Sequence, residues 1–123
     1  MNIDQNENIR IVSQFNKALN DANIEAMMEL TTENTIFENT SPSPDGERYE
    51  GKTKVRAFWE DFFRSSISAR IEIEEIFSTD TRCIMRWTYH WKNAQGGKGH
   101  IRGVDIYRIE NKRIAEKLSY VKG

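Results

Sequence analysis

The segment RCIMRWTYHWK, residues 82–92, decides the fold class. Its large apolar side chains fall on alternate positions, Met85, Trp87, Tyr89 and Trp91, which is the two-residue period of a β-strand. Three further segments alternate in a similar way and are joined to one another or to this one by short turns: 70–77, 100–109 and 113–121. Four strands joined by short turns predict an antiparallel meander, because parallel pairing would need crossovers of about a dozen residues.

The first half of the chain predicts helices instead. Apolar side chains recur at intervals of three and four across residues 8–20, which is typical of an amphipathic helix. Asn23 and Thr53 are capping residues for two further helices. A short strand is expected at 35–38, followed by a Pro- and Ser-rich loop. The pattern predicts an α+β fold, with one curved, mainly antiparallel (mixed) sheet wrapped around three N-terminal helices.

The composition restricts the classes of function. A length of 123 residues suits one domain, so residues 1–123 are expected to fold as a single unit. The chain has eighteen basic and nineteen acidic side chains, so its net charge is -1, which argues against nucleic acid as a partner. One cysteine, Cys83, excludes an intramolecular disulfide, and no apolar run is long enough to span a membrane. We therefore expect a soluble, cytoplasmic protein without a membrane partner.

The most informative single residue is Asp105, which lies between Val104 and Ile106 in an alternating strand. A carboxylate on an apolar, pocket-facing surface is poorly solvated, which makes it a candidate general acid, base or hydrogen-bond donor. The alternative is a structural aspartate that is paired with a lysine or an arginine. The residues alone leave both roles open.

The strand after Asp105 supplies its partner. Asp105 must lie near Lys117 across the last tight turn, but a change in register by one residue would turn every side chain to the other face. One register places Glu116 in the pocket with Asp105. The other places Lys117 there, where an ion pair would keep Asp105 ionised as a base or an anchor.

Glu38 and Asn39 end the first strand, and only one of the two can face inward. Asn39 would donate or accept a hydrogen bond with a ligand carbonyl or hydroxyl, whereas an inward Glu38 would be a second base. The structural alternative is an asparagine that forms the turn into the following loop.

Aromatic side chains exceed what a packed core of this size requires. The rings expected on the apolar wall of a ligand site are Phe15, Trp59, Phe63, Trp87, Tyr89 and Trp91. Those of residues 82–92 either line a cavity for a small hydrophobic molecule or pack across a dimer interface. Tyr107 and Tyr120 are expected to orient the ligand.

The other chemically active side chains give weaker signals. Alternation places His90 outward and His100 on the face opposite Asp105, unless a bulge at Gly103 turns the strand. Two distant histidines and a lone cysteine make no metal site of recognised spacing, so no metal and no cofactor are expected.

The order of predicted elements resembles the nuclear transport factor 2-like superfamily, in particular its SnoaL-like and ketosteroid-isomerase-like branch. The resemblance is carried by FNKALN at 15–20, RGVDIYR at 102–108 and IAEKLSYVKG at 114–123, and it covers nearly the whole chain. It implies a cone-shaped sheet around the helices, a pocket whose mouth is bordered by Glu38 and Asn39, and a homodimer formed through the outer sheet face. This scaffold hosts isomerases, cyclases, dehydratases, hydrolases and non-catalytic binders.

The resemblance also bears on the catalytic groups. The oxyanion-binding tyrosine of ketosteroid isomerases falls at Phe15 and their general base at Asn39, whereas their second donor is kept as Asp105. Steroid isomerisation by that mechanism is therefore disfavoured, and the resemblance favours the register with Lys117 inward. We expect general acid–base chemistry on a small organic molecule, with Asp105, Lys117 and Asn39 as the catalytic candidates. The alternative is a non-catalytic dimeric binding module.

Overall fold

The structure, a computed structural model, describes residues 3–65 and 68–123. The helices and strands of these residues follow in this order: α1 Ile3–Asn20, α2 Ile24–Glu29, β1 Thr31–Glu38, β2 Arg48–Glu50, α3 Lys52–Ser65, β3 Ser68–Thr79, β4 Arg82–Lys92, β5 Lys98–Glu110 and β6 Arg113–Val121. Three helices and one six-stranded sheet confirm the α+β class that the sequence predicts.

The sheet has the strand order β2-β1-β6-β5-β4-β3. Strands β3 to β6 form the expected antiparallel meander. The mixed character comes from β1, which runs parallel to β6 and antiparallel to the short edge strand β2. The sequence pattern does not indicate β2, because three residues are too few to show an alternation.

The helix starts differ from the sequence predictions in two places. Helix α1 begins at Ile3, earlier than the apolar pattern across 8–20 suggests. Asn23 caps α2 as expected, since its side chain accepts a hydrogen bond from the Ala26 N–H at 3.2 Å. Thr53 is not the cap of α3, because the helix already includes Lys52.

A β-bulge changes the two faces of β3. Simple alternation from Ile71 and Ile73 would place Phe77 on the inner face of the sheet. The register shifts between Ile73 and Glu75, so Ile76 pairs with Met85 and Phe77 is turned outward, with 50% of its surface exposed.

Helix α1 is fastened to β3 by two asparagine side chains. The amide groups of Asn16 and Asn20 donate to the carbonyl oxygen of Ile71 at 3.1 and 2.9 Å, and the Asn20 oxygen accepts from the Ile71 N–H at 2.8 Å. The apolar side of α1 packs on the inner sheet face, where the ring of Phe15 meets the rings of Phe37 and Tyr107 edge-on. The core thus fills one end of the fold and leaves room at the other.

Candidate functional site

A cavity of about 290 Å³ lies between α3 and the inner face of the sheet, beyond the packed end of the core. Most of its wall is apolar or aromatic, and a few polar side chains converge on it. The lining residues are Asn39, Thr40, Ser41, Phe58, Trp59, Phe62, Ile71, Trp87, Tyr89, Ile101, Asp105, Lys117, Ser119 and Val121. A concave, mostly apolar pocket with a few polar groups is the usual form of a small-molecule site.

Asp105 is the buried carboxylate of this wall. The register of β5 places it between Met85 on β4 and Ser119 on β6, and only 2% of its surface is exposed. Its Oδ2 atom lies 3.5 Å from the Nζ atom of Lys117 and 3.4 Å from the hydroxyl of Tyr107, which donates to it. Its Oδ1 atom is shielded from solvent and has no hydrogen-bond partner in the described part of the chain. One oxygen is therefore held by two side chains, and the other has no partner in the described residues.

Lys117 faces the cavity, which decides between the two registers left open by the sequence. Its Nζ atom donates to the Ser119 hydroxyl at 2.9 Å and lies 5.5 Å from the centre of the Phe37 ring and 5.6 Å from that of Trp59. These ring faces attract a cation and take the place of part of its hydration. Glu116 points to the outer face, so it does not join Asp105.

Tyr107 lies behind the carboxylate and is itself fully buried. Burial raises the pKa of the Tyr107 hydroxyl well above its usual value, and the negative charge of Asp105 raises it further. The hydroxyl therefore keeps its proton and donates to Asp105. Tyr107 is not on the cavity wall, which corrects the prediction that it contacts the ligand: the carboxylate lies between them.

Asn39, and not Glu38, is the inward residue at the end of β1. Asn39 lines the cavity, while the carboxylate of Glu38 pairs with Arg48 at 3.5 Å outside it. The loop closes back on Asn39, whose N–H donates to the Glu47 carbonyl at 2.8 Å. Gly46 permits this approach, because a Cβ atom there would lie 1.7 Å from the Asn39 carbonyl oxygen.

Three of the six predicted rings line the cavity. They are Trp59, Trp87 and Tyr89. Trp87 and Tyr89 therefore lie on the inner face of the sheet, beside the cavity.

The other three rings lie elsewhere, which corrects their prediction. Phe15 is fully buried in the core between α1 and the sheet, and Phe63 packs behind the Trp59 ring. Trp91 has the inward parity but lies near the end of the β4–β5 hairpin, against Gly99 and beyond the cavity. Tyr120 is also misplaced by the prediction, since it is 48% exposed on the outer face.

Several residues of the cavity wall were not among the predicted site residues. Ser119 and Val121 share the parity of Lys117, and Ile71 and Ile101 are inward residues of β3 and β5. Alternation along β3 and β5 would have found Ile71 and Ile101, and alternation along β6 would have found Ser119 and Val121 once its register was known.

The histidines and the cysteine lie apart from the cavity. The Nε2 atom of His90 lies 3.0 Å from Glu72, and His100 pairs with His90 across regular strands, without the bulge at Gly103 that would have turned it inward. Cys83 is buried, and burial raises the pKa of its thiol to about 11. Within residues 3–65 and 68–123, no group of three or more His, Cys, Asp or Glu side chains could hold a metal ion. None of the described helices has the length and apolar character needed to cross a membrane.

Comparison with known proteins assigns the family. The family model of the SnoaL-like domain matches residues 12–117, which is most of the chain, so the protein belongs to the SnoaL-like family. The resemblance stated from the sequence is confirmed. A search of functionally curated proteins finds no match.

Solved structures share the fold. An NTF2-like protein of unknown function from Mesorhizobium loti is 31% identical, with a TM-score of 0.83 over 100% of this chain and 97% of that one. An LEH-like epoxide hydrolase from Mycobacterium tuberculosis is 14% identical, with a TM-score of 0.83 over 97% and 85% of the two chains. A protein provisionally named as a SnoaL-like polyketide cyclase, from Shewanella putrefaciens, is 15% identical, with a TM-score of 0.79 over 93% and 88%.

Proposed function

We propose that this protein binds a small, largely apolar organic molecule in the cavity and transfers a proton at a carbonyl or hydroxyl group of that molecule. The reaction would be of the isomerase, cyclase or dehydratase type, without a cofactor. The observation that carries the proposal is the placement of Asp105: the side chain is buried on the cavity wall, with Oδ2 held by Lys117 and Tyr107 and Oδ1 unpartnered.

The proposed chemistry follows from that placement. Oδ1 of Asp105 takes a proton from the carbon next to a ligand carbonyl, which leaves an enolate, and returns the proton to the same carbon or, where the enolate is conjugated with a C=C bond, to the far carbon of that bond. Lys117 orients the carboxylate and balances its charge, and the amide of Asn39 is placed to hydrogen-bond a ligand oxygen. Since Phe15 carries no hydroxyl and Asn39 accepts no proton, the proton transfer depends on Asp105 alone.

The relatives are consistent with small-molecule chemistry. The Mycobacterium tuberculosis protein is an epoxide hydrolase, and the Shewanella putrefaciens protein carries a polyketide cyclase name. Both are below 25% identity, so they support this class of ligand only through the shared scaffold.

A second candidate function is a non-catalytic binding module. It is favoured by one observation, the ion pair between Asp105 and Lys117, which a purely structural carboxylate would also form. The two functions differ in whether a bound ketone exchanges protons, so one probe tests both.

Binding is tested first, with 2-tetralone as a probe that has a two-ring apolar body and one carbonyl. We expect saturable binding by isothermal titration calorimetry. Ile101→Trp, which fills the cavity wall, should abolish binding, whereas Arg102→Trp on the other face of the same strand should leave it intact. Failure of 2-tetralone to bind, or equal binding by both variants, would contradict a ligand site in this cavity.

Proton transfer is tested with the same probe in D₂O. The protein should accelerate the exchange of the protons next to the carbonyl of 2-tetralone for deuterium, followed by ¹H NMR. Binding without any acceleration would favour the non-catalytic module.

Three further properties belong to this proposal. A homodimer formed through the outer sheet face is supported by the exposure of Phe77 and Tyr120 there, and Tyr120→Asp should convert a dimer into a monomer by light scattering. We also propose that residues 1–123 form a single domain, which the family match over residues 12–117 supports. The proposed location is the cytoplasm.

A further inference from the structure

The polar atoms of the cavity wall show which hydrogen bonds a ligand would make. In the described residues, four buried side-chain atoms have no hydrogen-bond partner: Asn16 Oδ1, Trp59 Nε1, Trp87 Nε1 and Asp105 Oδ1. The last three belong to residues that line the same cavity. Buried polar groups are nearly always paired in folded proteins, so three unpaired atoms around one cavity indicate a site built for a polar ligand.

The two indoles are held in place by apolar contacts, which leave their N–H groups free for a ligand. Trp87 packs against Gly103, where a Cβ atom would come within 2.6 Å of the Cζ2 atom of the indole. Trp59 is surrounded by the rings of Phe58, Phe62 and Phe63, which offer no oxygen to its N–H.

Each of these atoms can take only one role in a hydrogen bond, donor or acceptor. An indole N–H only donates, whereas a carboxylate oxygen only accepts. A complementary ligand must therefore present at least one acceptor oxygen to the indoles and one donor to Asp105, on a body that suits the aromatic wall.

The volume limits the size of that body. An apolar protein cavity of about 150 Å³ accepts a single benzene ring. The cavity of about 290 Å³ is therefore large enough for one or two fused rings with small substituents.

We propose that the ligand is a one- or two-ring hydroxyketone or phenolic ketone, whose ketone oxygen accepts from the indole N–H of Trp87 or Trp59 and whose hydroxyl donates to Oδ1 of Asp105. The two tryptophans are then specificity-determining residues. This inference rests on the proposed function, because it assigns the ligand class of the same cavity. The hydroxyl contact describes the resting complex, and the ligand turns to present the carbon next to its carbonyl to Oδ1 before the proton is transferred.

The test compares four probes of one shape on the wild-type protein: tetralin, 2-tetralone, 5,6,7,8-tetrahydro-2-naphthol and 6-hydroxy-2-tetralone. Each dissociation constant is measured by isothermal titration calorimetry. One neutral hydrogen bond should make 2-tetralone bind roughly threefold to tenfold more tightly than tetralin. The hydroxyl should add roughly tenfold or more, because its acceptor is charged. The hydroxyketone should bind most tightly.

Three tryptophan variants then locate the donor. The ratio of the tetralin and 2-tetralone dissociation constants should fall towards one in Trp87→Phe or Trp59→Phe, because phenylalanine keeps an apolar ring but has no N–H. The matched control is Trp91→Phe, on the same strand as Trp87 but outside the cavity, which should keep the wild-type ratio. Circular dichroism identifies any variant that does not fold. The comparison of the four probes on the wild-type protein does not depend on the variants.

The outcomes separate this inference from the proposed function. If all four probes bind with similar affinity, or if the carbonyl advantage survives in both Trp87→Phe and Trp59→Phe, the inferred ligand class is wrong while the cavity remains a binding site. If none of the probes binds, the binding proposal fails and this inference fails with it.

Discussion

Glu116 and Lys117 are neighbours on β6, and each forms an ion pair, but on opposite faces of the sheet. Glu116 pairs with Arg82 at 2.8 Å, where the two side chains are 17% and 42% exposed. Lys117 pairs with Asp105 at 3.5 Å, where the exposed fractions are 7% and 3%. The outer pair remains in contact with water and contributes little to stability, whereas the inner pair must offset the cost of removing two charges from water.

This difference bears on the role that we propose for the inner pair. A buried ion pair is often no more stabilising than apolar residues of the same size. The Asp105–Lys117 pair is therefore better explained by the cavity that it lines than by the stability of the fold. Each of the following tests perturbs one of the two pairs or a buried group of the inner face.

The largest effect on stability is expected from Lys117→Met. It leaves the Asp105 carboxylate buried without its cation and should lower the free energy of unfolding by about 3–5 kcal/mol, measured by urea denaturation at neutral pH. The double variant Asp105→Leu/Lys117→Met removes both charges and should regain most of that loss. A loss below about 1 kcal/mol in the single variant would mean that the inner pair is solvated like the outer one.

Tyr107→Phe should have a smaller effect. It removes the hydroxyl that donates to Asp105 across 3.4 Å but keeps the ring that packs on Phe15, so the expected loss is about 1 kcal/mol. The same urea denaturation measures it. An unchanged unfolding midpoint would show that the hydroxyl does not support the carboxylate.

Alkaline pH should destabilise the fold through the buried groups of the inner face. The pKa of Tyr107 is raised above 10.0 by burial and by Asp105, so above that pH the unfolded chain releases a proton that the folded chain keeps. Burial raises the pKa of Cys83 from 9.0 to about 11, with the same sign. The contribution of these two groups to the free energy of unfolding should therefore be constant below about pH 9 and fall as the pH rises above it.

Urea denaturation across this pH range measures the fall, and Tyr107→Phe is the control, since it should make the fall above pH 10 less steep. An increase of stability with pH in this range, or an identical fall in the variant, would contradict the burial of an un-ionised Tyr107.

The smallest effect is expected from Arg82→Gln on the outer face. Its partner Glu116 stays in contact with water and with a second cation, Arg108 at 3.9 Å. The free energy of unfolding should therefore fall by less than about 1 kcal/mol in the same denaturation measurement. A loss as large as that of Lys117→Met would remove the distinction between the two faces.

The fold could be predicted from the sequence because its signals are local. Alternation in residues 82–92 and 113–121 and the capping side chain of Asn23 each act within a few residues. The bulge in β3 could not be predicted in this way, since no residue type marks it, and its effect on Phe77 was therefore missed.

Which side chains share a face was predictable where one strand fixes it, as for Trp87 and Tyr89, although the sequence left open whether that face lines a cavity or a dimer interface. The site was not predictable where two elements must be aligned. The choice between Lys117 and Glu116 depends on the pairing of β5 with β6, and alternation gave Trp91 the correct face but not its distance from α3.

The most direct test of the account is the rate at which the bound 2-tetralone exchanges protons in D₂O, compared among the wild-type protein, Asp105→Asn and Glu116→Gln. General base catalysis contributes about 100-fold or more, so Asp105→Asn should lose nearly all of the acceleration, as should the double variant Asp105→Asn/Lys117→Met, which leaves no unpaired buried charge. Glu116→Gln, which neutralises the carboxylate on the outer face, should keep the wild-type rate. Equal rates in Asp105→Asn and the wild-type protein, with the probe bound in both, would contradict the role of Asp105 as the proton-transferring group.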